Sequence, residues 1–129
     1  MKLTGGVVAL LLLGGCSSAA PAPSSAPTGQ TDGVERQTCG TVTLEHGQTV
    51  PDDAIACLRA AVGTTAAELV VTRLTTEGDP VTSYFRTSAD RERITVYVDA
   101  TQDSFGSRKW MTLQCPADVD PMTMTGCTE

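Results

Sequence analysis

The side chains whose type and spacing could do chemistry are carboxylates. Glu77 and Asp79 stand in Thr75-Thr76-Glu77-Gly78-Asp79-Pro80, and Asp99 and Asp103 frame Asp99-Ala100-Thr101-Gln102-Asp103-Ser104-Phe105-Gly106. Two carboxylates at a suitable separation can hydrolyse a glycosidic bond, and several oxygens can hold a calcium ion. Asp-x-Thr-x-Asp, however, lacks the spacing and closing glutamate of an EF-hand loop. Gly78 and Gly106 are explained by turn geometry, and Asp79-Pro80 by turn initiation. Structural turns are therefore the first reading, a binding surface the second, and metal binding or catalysis the last. No metal and no cofactor is expected.

His46 is the only histidine. A serine or cysteine nucleophile would need it as base, with a carboxylate to orient it. Gly-x-Ser-x-Gly is absent, and His46 lies in the polar stretch Glu45-His46-Gly47. A solvated loop histidine is expected. Phe105 sits in a loop, where an aromatic can anchor a partner; the favoured expectation is that it folds back as a plug on the core. Tyr84, Phe85, Tyr97 and Trp110 are the other aromatics. Arg86, Arg91, Arg93, Arg108 and Lys109 are expected to dress the exposed face of a sheet rather than meet an anionic ligand.

Of the five cysteines, Cys16 stands apart, leaving Cys39, Cys57, Cys115 and Cys127. Four cysteines in a small exported domain suggest two disulfides, with three connectivities open. The sequence-local pairing, Cys39 with Cys57 and Cys115 with Cys127, is favoured. The first bridge would pin a helix to the entering chain and the second would staple the tail to the last clear strand. A four-thiolate zinc site lacks paired Cys-x-x-Cys knuckles, and a redox dithiol lacks that motif too.

The elements that must position these groups follow from periodicity. Val50-Pro51-Asp52-Asp53 reads as a helix start, with proline at the first turn and two aspartates at the positive end of the dipole. Ile55, Leu58 and Val62 recur at helical spacing, and Gly63 ends the helix. Strands are predicted over 41–44, 68–75, 81–87, 93–99 and 109–115, with another candidate over 122–127. The clearest alternates Ile94, Val96 and Val98 with Thr95, Tyr97 and Asp99. Short connections favour an antiparallel meander. The expected fold class is α+β: one helix packed on a small antiparallel meander of four to five strands with two disulfides. In a meander the 77–80 turn and the 99–106 loop fall at the same end, so Glu77, Asp79, Asp99, Asp103 and Phe105 form the candidate binding surface.

The first 15 residues read as an export signal: Lys2, the apolar run Val7-Val8-Ala9-Leu10-Leu11-Leu12-Leu13, then small residues. The run is far below the roughly 18 residues that span a bilayer. Leu13-Gly14-Gly15-Cys16 resembles the lipobox of bacterial lipoproteins. That resemblance implies a diacylglyceryl group on the Cys16 sulfur and cleavage just before it. Two acyl chains suffice for stable anchoring, which places the chain on the outer face of the cell membrane. Residues 17–38, SSAAPAPSSAPTGQTDGVERQT, are too poor in apolar side chains to form a core. They are expected to be a disordered tether reaching at most on the order of 70 Å, with its Ser and Thr open to glycosylation. From Cys39 onward about 90 residues remain, enough for one small domain. Without Lys2, eight basic side chains face fifteen acidic ones, a net charge of −7. Such an acidic chain is a poor partner for nucleic acid.

Thr75-Thr76-Glu77-Gly78-Asp79-Pro80, the Asp103-Ser104-Phe105-Gly106 element, Cys115 and the terminal Gly126-Cys127 together resemble a group of small Gram-positive lipoproteins of unknown function. The resemblance covers about residues 66–127. Members of that group usually lack counterparts of Cys39 and Cys57, which implies that each cysteine pair behaves as a unit. The group brings no activity, substrate or catalytic residue. The sequence thus predicts a non-catalytic binding module of the cell envelope, whose partner is another envelope protein, a wall polymer or a secreted factor. A small carboxylate-based hydrolase and a structural or assembly factor of an envelope complex are the alternatives.

Overall fold

The computed structural model describes residues 25–129. The leader expected over 1–15, Cys16 and the first part of the expected tether lie outside the described residues. Strand β1 (Gln37–Leu44) leads through a loop into helix α1 (Asp52–Ala61), which returns the chain to strand β2 (Ala67–Leu74). Strands β3 (Pro80–Ser88), β4 (Arg91–Asp99) and β5 (Trp110–Pro116) follow. The five strands form one sheet in the order β1-β2-β3-β4-β5.

The sheet is mixed, which corrects the expectation of a wholly antiparallel meander. β2 to β5 pair antiparallel, but β1 pairs parallel with β2. The reason is the helix between them. A crossover carries the chain back to the end where β1 began, so β2 must run the same way as β1. A second correction concerns 122–127, which is a series of turns rather than a strand. Met124 and Gly126 both take positive φ, 48° and 81°, which breaks any ladder. Just beyond it, Thr128 makes an isolated bridge with Gln114.

Pro51 caps the start of helix α1, and its carbonyl accepts the N–H groups of Ala54 (3.1 Å) and Ile55 (3.2 Å). Asp52 and Asp53 stand in its first turn and Arg59 in its last, matching the helix dipole. Ala54, Leu58 and Ala61 form its buried face. They pack over β1, β2 and β3, where Leu69, Val71 and Phe85 are buried, and Ile94, Val96 and Cys115 continue the same core along β4 and β5. The Thr87 hydroxyl, also buried, accepts the Ala67 N–H (2.9 Å) and donates to the Thr65 carbonyl (2.7 Å), so its burial leaves no polar atom unsatisfied.

One helix is too narrow to cover five strands. The C-terminal turns close the remainder with Val119 and Pro121, both buried. Arg59 Nη2 donates to the Asp118 carbonyl (3.0 Å), and Arg73 Nη1 to that of Met122 (2.8 Å), fixing the segment to helix and sheet. Two disulfides brace this arrangement, Cys39–Cys57 and Cys115–Cys127, across 18 and 12 residues. The sequence-local pairing is the one observed. In the chain-entropy description loops of this size each contribute about 3 kcal/mol.

Candidate functional site

Three connections gather at one end of the sheet. β1 and β2 are parallel and β2 to β5 alternate. The loop after Leu44, the turn after Leu74 and the loop after Asp99 therefore share that end. The last two touch. Asp79 Oδ2 accepts the Ser104 N–H at 2.8 Å. The Ser104 N–H and hydroxyl hold the Asp79 carboxyl below its ordinary value of 3.8, because both favour the charged form.

The aspartates at this end are occupied by backbone. Asp103 Oδ1 accepts the N–H groups of Phe105 (3.2 Å) and Gly106 (2.9 Å). A Cβ on Gly106 would fall on the Asp103 carboxylate, so only glycine leaves room for that wrap. Asp99 Oδ1 accepts both the N–H (2.9 Å) and the hydroxyl (2.6 Å) of Thr101. In the neighbouring turn Thr75 accepts the Gly78 N–H (3.0 Å) through its carbonyl and the Asp79 N–H (3.1 Å) through its hydroxyl. Gly78 takes a φ of 91°, which an L side chain would strain. The carboxylates thus build the loops, leaving Glu77 exposed at the turn.

What these loops present is apolar. Phe105 is 80% exposed, which corrects the expectation that it plugs the core. With its own N–H held by Asp103 and the preceding N–H held by Asp79, the loop points the ring outward. Leu74, at the end of β2, is 40% exposed. It lines a shallow groove with Glu45, His46, Thr75 and Glu77. His46 is exposed and makes no hydrogen bond among the described residues, as expected of a solvated loop histidine. No group of three His, Cys, Asp or Glu side chains that could hold a metal ion occurs among the described residues.

The open face of the sheet carries the other polar and aromatic groups. Tyr84 and Trp110 stack across β4 at a centroid distance of 5.9 Å. Burial and the nearby Asp99 charge push the Tyr84 phenol up from its ordinary 10.0. Arg86 lies over the Tyr97 ring, 5.3 Å from its centroid. It also donates to Glu68 Oε2 (2.6 Å) and to the carbonyls of Gly29 (2.9 Å) and Gln30 (2.8 Å). The later part of the stretch expected as a tether therefore lies against the sheet. Asp32 pairs with Arg36 at 2.6 Å and is held far below the usual carboxylate range by that guanidinium. Arg86 was expected on the exposed face of the sheet, but nothing in the sequence pointed to Gly29 and Gln30 as its acceptors.

Compared with family models, with curated proteins and with solved structures, the chain matches none. No helix among the described residues is long and apolar enough to cross a membrane.

Proposed function

We propose that the chain is a lipid-anchored protein of the cell envelope that acts as a non-catalytic binding module. It grips a partner protein with the loop end of its sheet. The observation that carries this reading is Phe105, 80% exposed on a loop fixed by Asp79 and Asp103. An aromatic in water gains by entering a partner's pocket, and a loop already fixed loses little entropy when it does. Leu74 extends the apolar contact, while Glu77 and Glu45 add an acidic rim. The complementary partner offers an apolar pocket bordered by basic side chains. In this reading Asp79, Asp99 and Asp103 position the contact rather than make it.

Catalysis by the same carboxylates finds less support. A glycosidase needs one carboxyl kept protonated near neutrality, and the Asp79 carboxyl is shifted the opposite way. The lipobox-like Leu13-Gly14-Gly15-Cys16 supports the anchor. Crosslinking and pulldown from intact cells test the reading. The wild-type chain should capture a protein that Phe105→Ala loses at unchanged melting temperature. Capture of wall polymer alone, or equal capture by the variant, would remove Phe105 from the interface. Mass spectrometry of the natural product should show an acylated amino-terminal Cys16.

A further inference from the structure

The two edges of the sheet end differently. Along β5, the Gln114 N–H donates to the Thr128 carbonyl (2.7 Å) and the Thr128 N–H to the Gln114 carbonyl (3.0 Å). The Cys115–Cys127 bridge fixes this tail beside the strand. β5 also runs out in Pro116, and Arg108 and Lys109 stand just before it. Pairing with the chain's own tail, proline and flanking cations are the devices by which natural sheets block an edge.

The β1 edge has few of them. Among the described residues no strand pairs with it on the side away from β2. Alternate residues of an edge strand turn their N–H and C=O groups outward. The strand reads Gln37-Thr38-Cys39-Gly40-Thr41-Val42-Thr43-Leu44, without charge or proline. Its one irregularity is early: the register with β2 shifts between Thr38 and Gly40, and the Gly40 N–H is taken by the Thr38 hydroxyl (3.2 Å). From Thr41 to Leu44 the register is regular, and Thr41 and Thr43 are exposed.

We propose that this edge pairs with the same edge of a second copy of the chain, antiparallel about Thr43 so that residues 42–44 meet their counterparts 44–42, and two five-stranded sheets become one. Antiparallel pairing of identical strands is two-fold symmetric, the commonest closed arrangement. The absence of charge in β1 means that no like charges meet across the new ladder. The guarded β5 edge stops the assembly at two copies, where an open one would let it run on as a fibre. Three residues from each copy make a short ladder, so the dimer is a weak one that forms at high protein concentration.

Sedimentation equilibrium on the oxidised full chain carrying Cys16→Ser, which removes any effect of lipid, tests this up to about 1 mM. The mass should rise from one copy toward two with concentration. The double variant Thr41→Lys, Thr43→Lys should remain a single copy at every concentration, with unchanged circular dichroism and melting temperature. A Thr43→Cys chain should form an interchain disulfide that a Thr76→Cys chain does not. A chain that stays monomeric throughout overturns the proposal, whether or not the edge accepts a strand from another protein. So does a lysine variant that dimerises as well as its parent.

Discussion

The carboxylate of Asp79 accepts the backbone N–H of Ser104 at 2.8 Å, across 25 residues of chain. This contact joins the turn between β2 and β3 to the loop between β4 and β5 and sets the position from which Phe105 projects. Phe105 makes the contact with the partner in our reading, and Asp79 holds it in place. The two residues should therefore fail in different ways.

Phe105→Ala removes an exposed ring. Its effect on stability should stay within about 0.5 kcal/mol, as for surface positions generally. Partner capture should nevertheless fall by at least tenfold. A titration of the captured partner against both proteins measures the loss.

Asp79→Ala should loosen the 100–109 loop while leaving the sheet intact. Amide resonances of Ser104 and Phe105 should broaden or shift, and those of β3 and β4 should not. The pH dependence follows from the sign of the shift. The folded carboxyl lies below its ordinary 3.8. Its contribution is complete above that value and is lost as pH falls through the lower folded value. The Ser104 amide shift should titrate with a midpoint below 3.8; a midpoint at or above it would mean that the bond does not form.

Arg86→Ala deprives the carbonyls of Gly29 and Gln30 of their donor and breaks the pair with Glu68. The expected loss is about 1.5–3 kcal/mol, the range for hydrogen bonds to a charged group. Trypsin should then cut faster after Arg36, whose side chain lies largely buried beside Asp32. Cleavage within β4 should stay slow. Unchanged cutting at Arg36 would detach that segment from the role given to Arg86.

Phe85 is fully buried and central to the sheet. Its replacement by alanine should cost about 3–5 kcal/mol, the usual loss on truncating a core aromatic. Equilibrium urea denaturation reads this directly. Cys115→Ser with Cys127→Ser should cost about 3 kcal/mol by chain entropy and should free Thr128 from Gln114. The amide of Thr128 would then exchange faster than its wild-type counterpart.

Much of the domain was legible because its signals are local. Ile94, Val96 and Val98 alternate with polar residues, and β4 is found where they stand. Pro51, Asp52 and Asp53 mark the start of α1. The direction of β1 was not legible. Parallel and antiparallel strands share the same alternation, and only the crossover by α1 decides between them. The 122–127 segment has apolar residues at alternate positions but spends them under the sheet, through turns at Met124 and Gly126. Phe105 was misjudged because an apolar side chain in a loop carries no periodicity to say which way it faces.

By itself, the sequence determined the α+β class, the helix and central strands and the positions of the turns, and it favoured the local pairing of its cysteines without deciding it. These follow from residue alternation, turn chemistry and short closed loops, all of which act within a few residues or a few turns of chain. Tertiary structure alone decided that β1 runs parallel, that Arg86 holds the 29–30 backbone, and that Asp79 meets Ser104 and turns Phe105 outward. Those outcomes depend on which strand ends and which faces are brought together by the paired sheet, and a hydrogen bond between residues 25 apart exists only once the strands between them have paired.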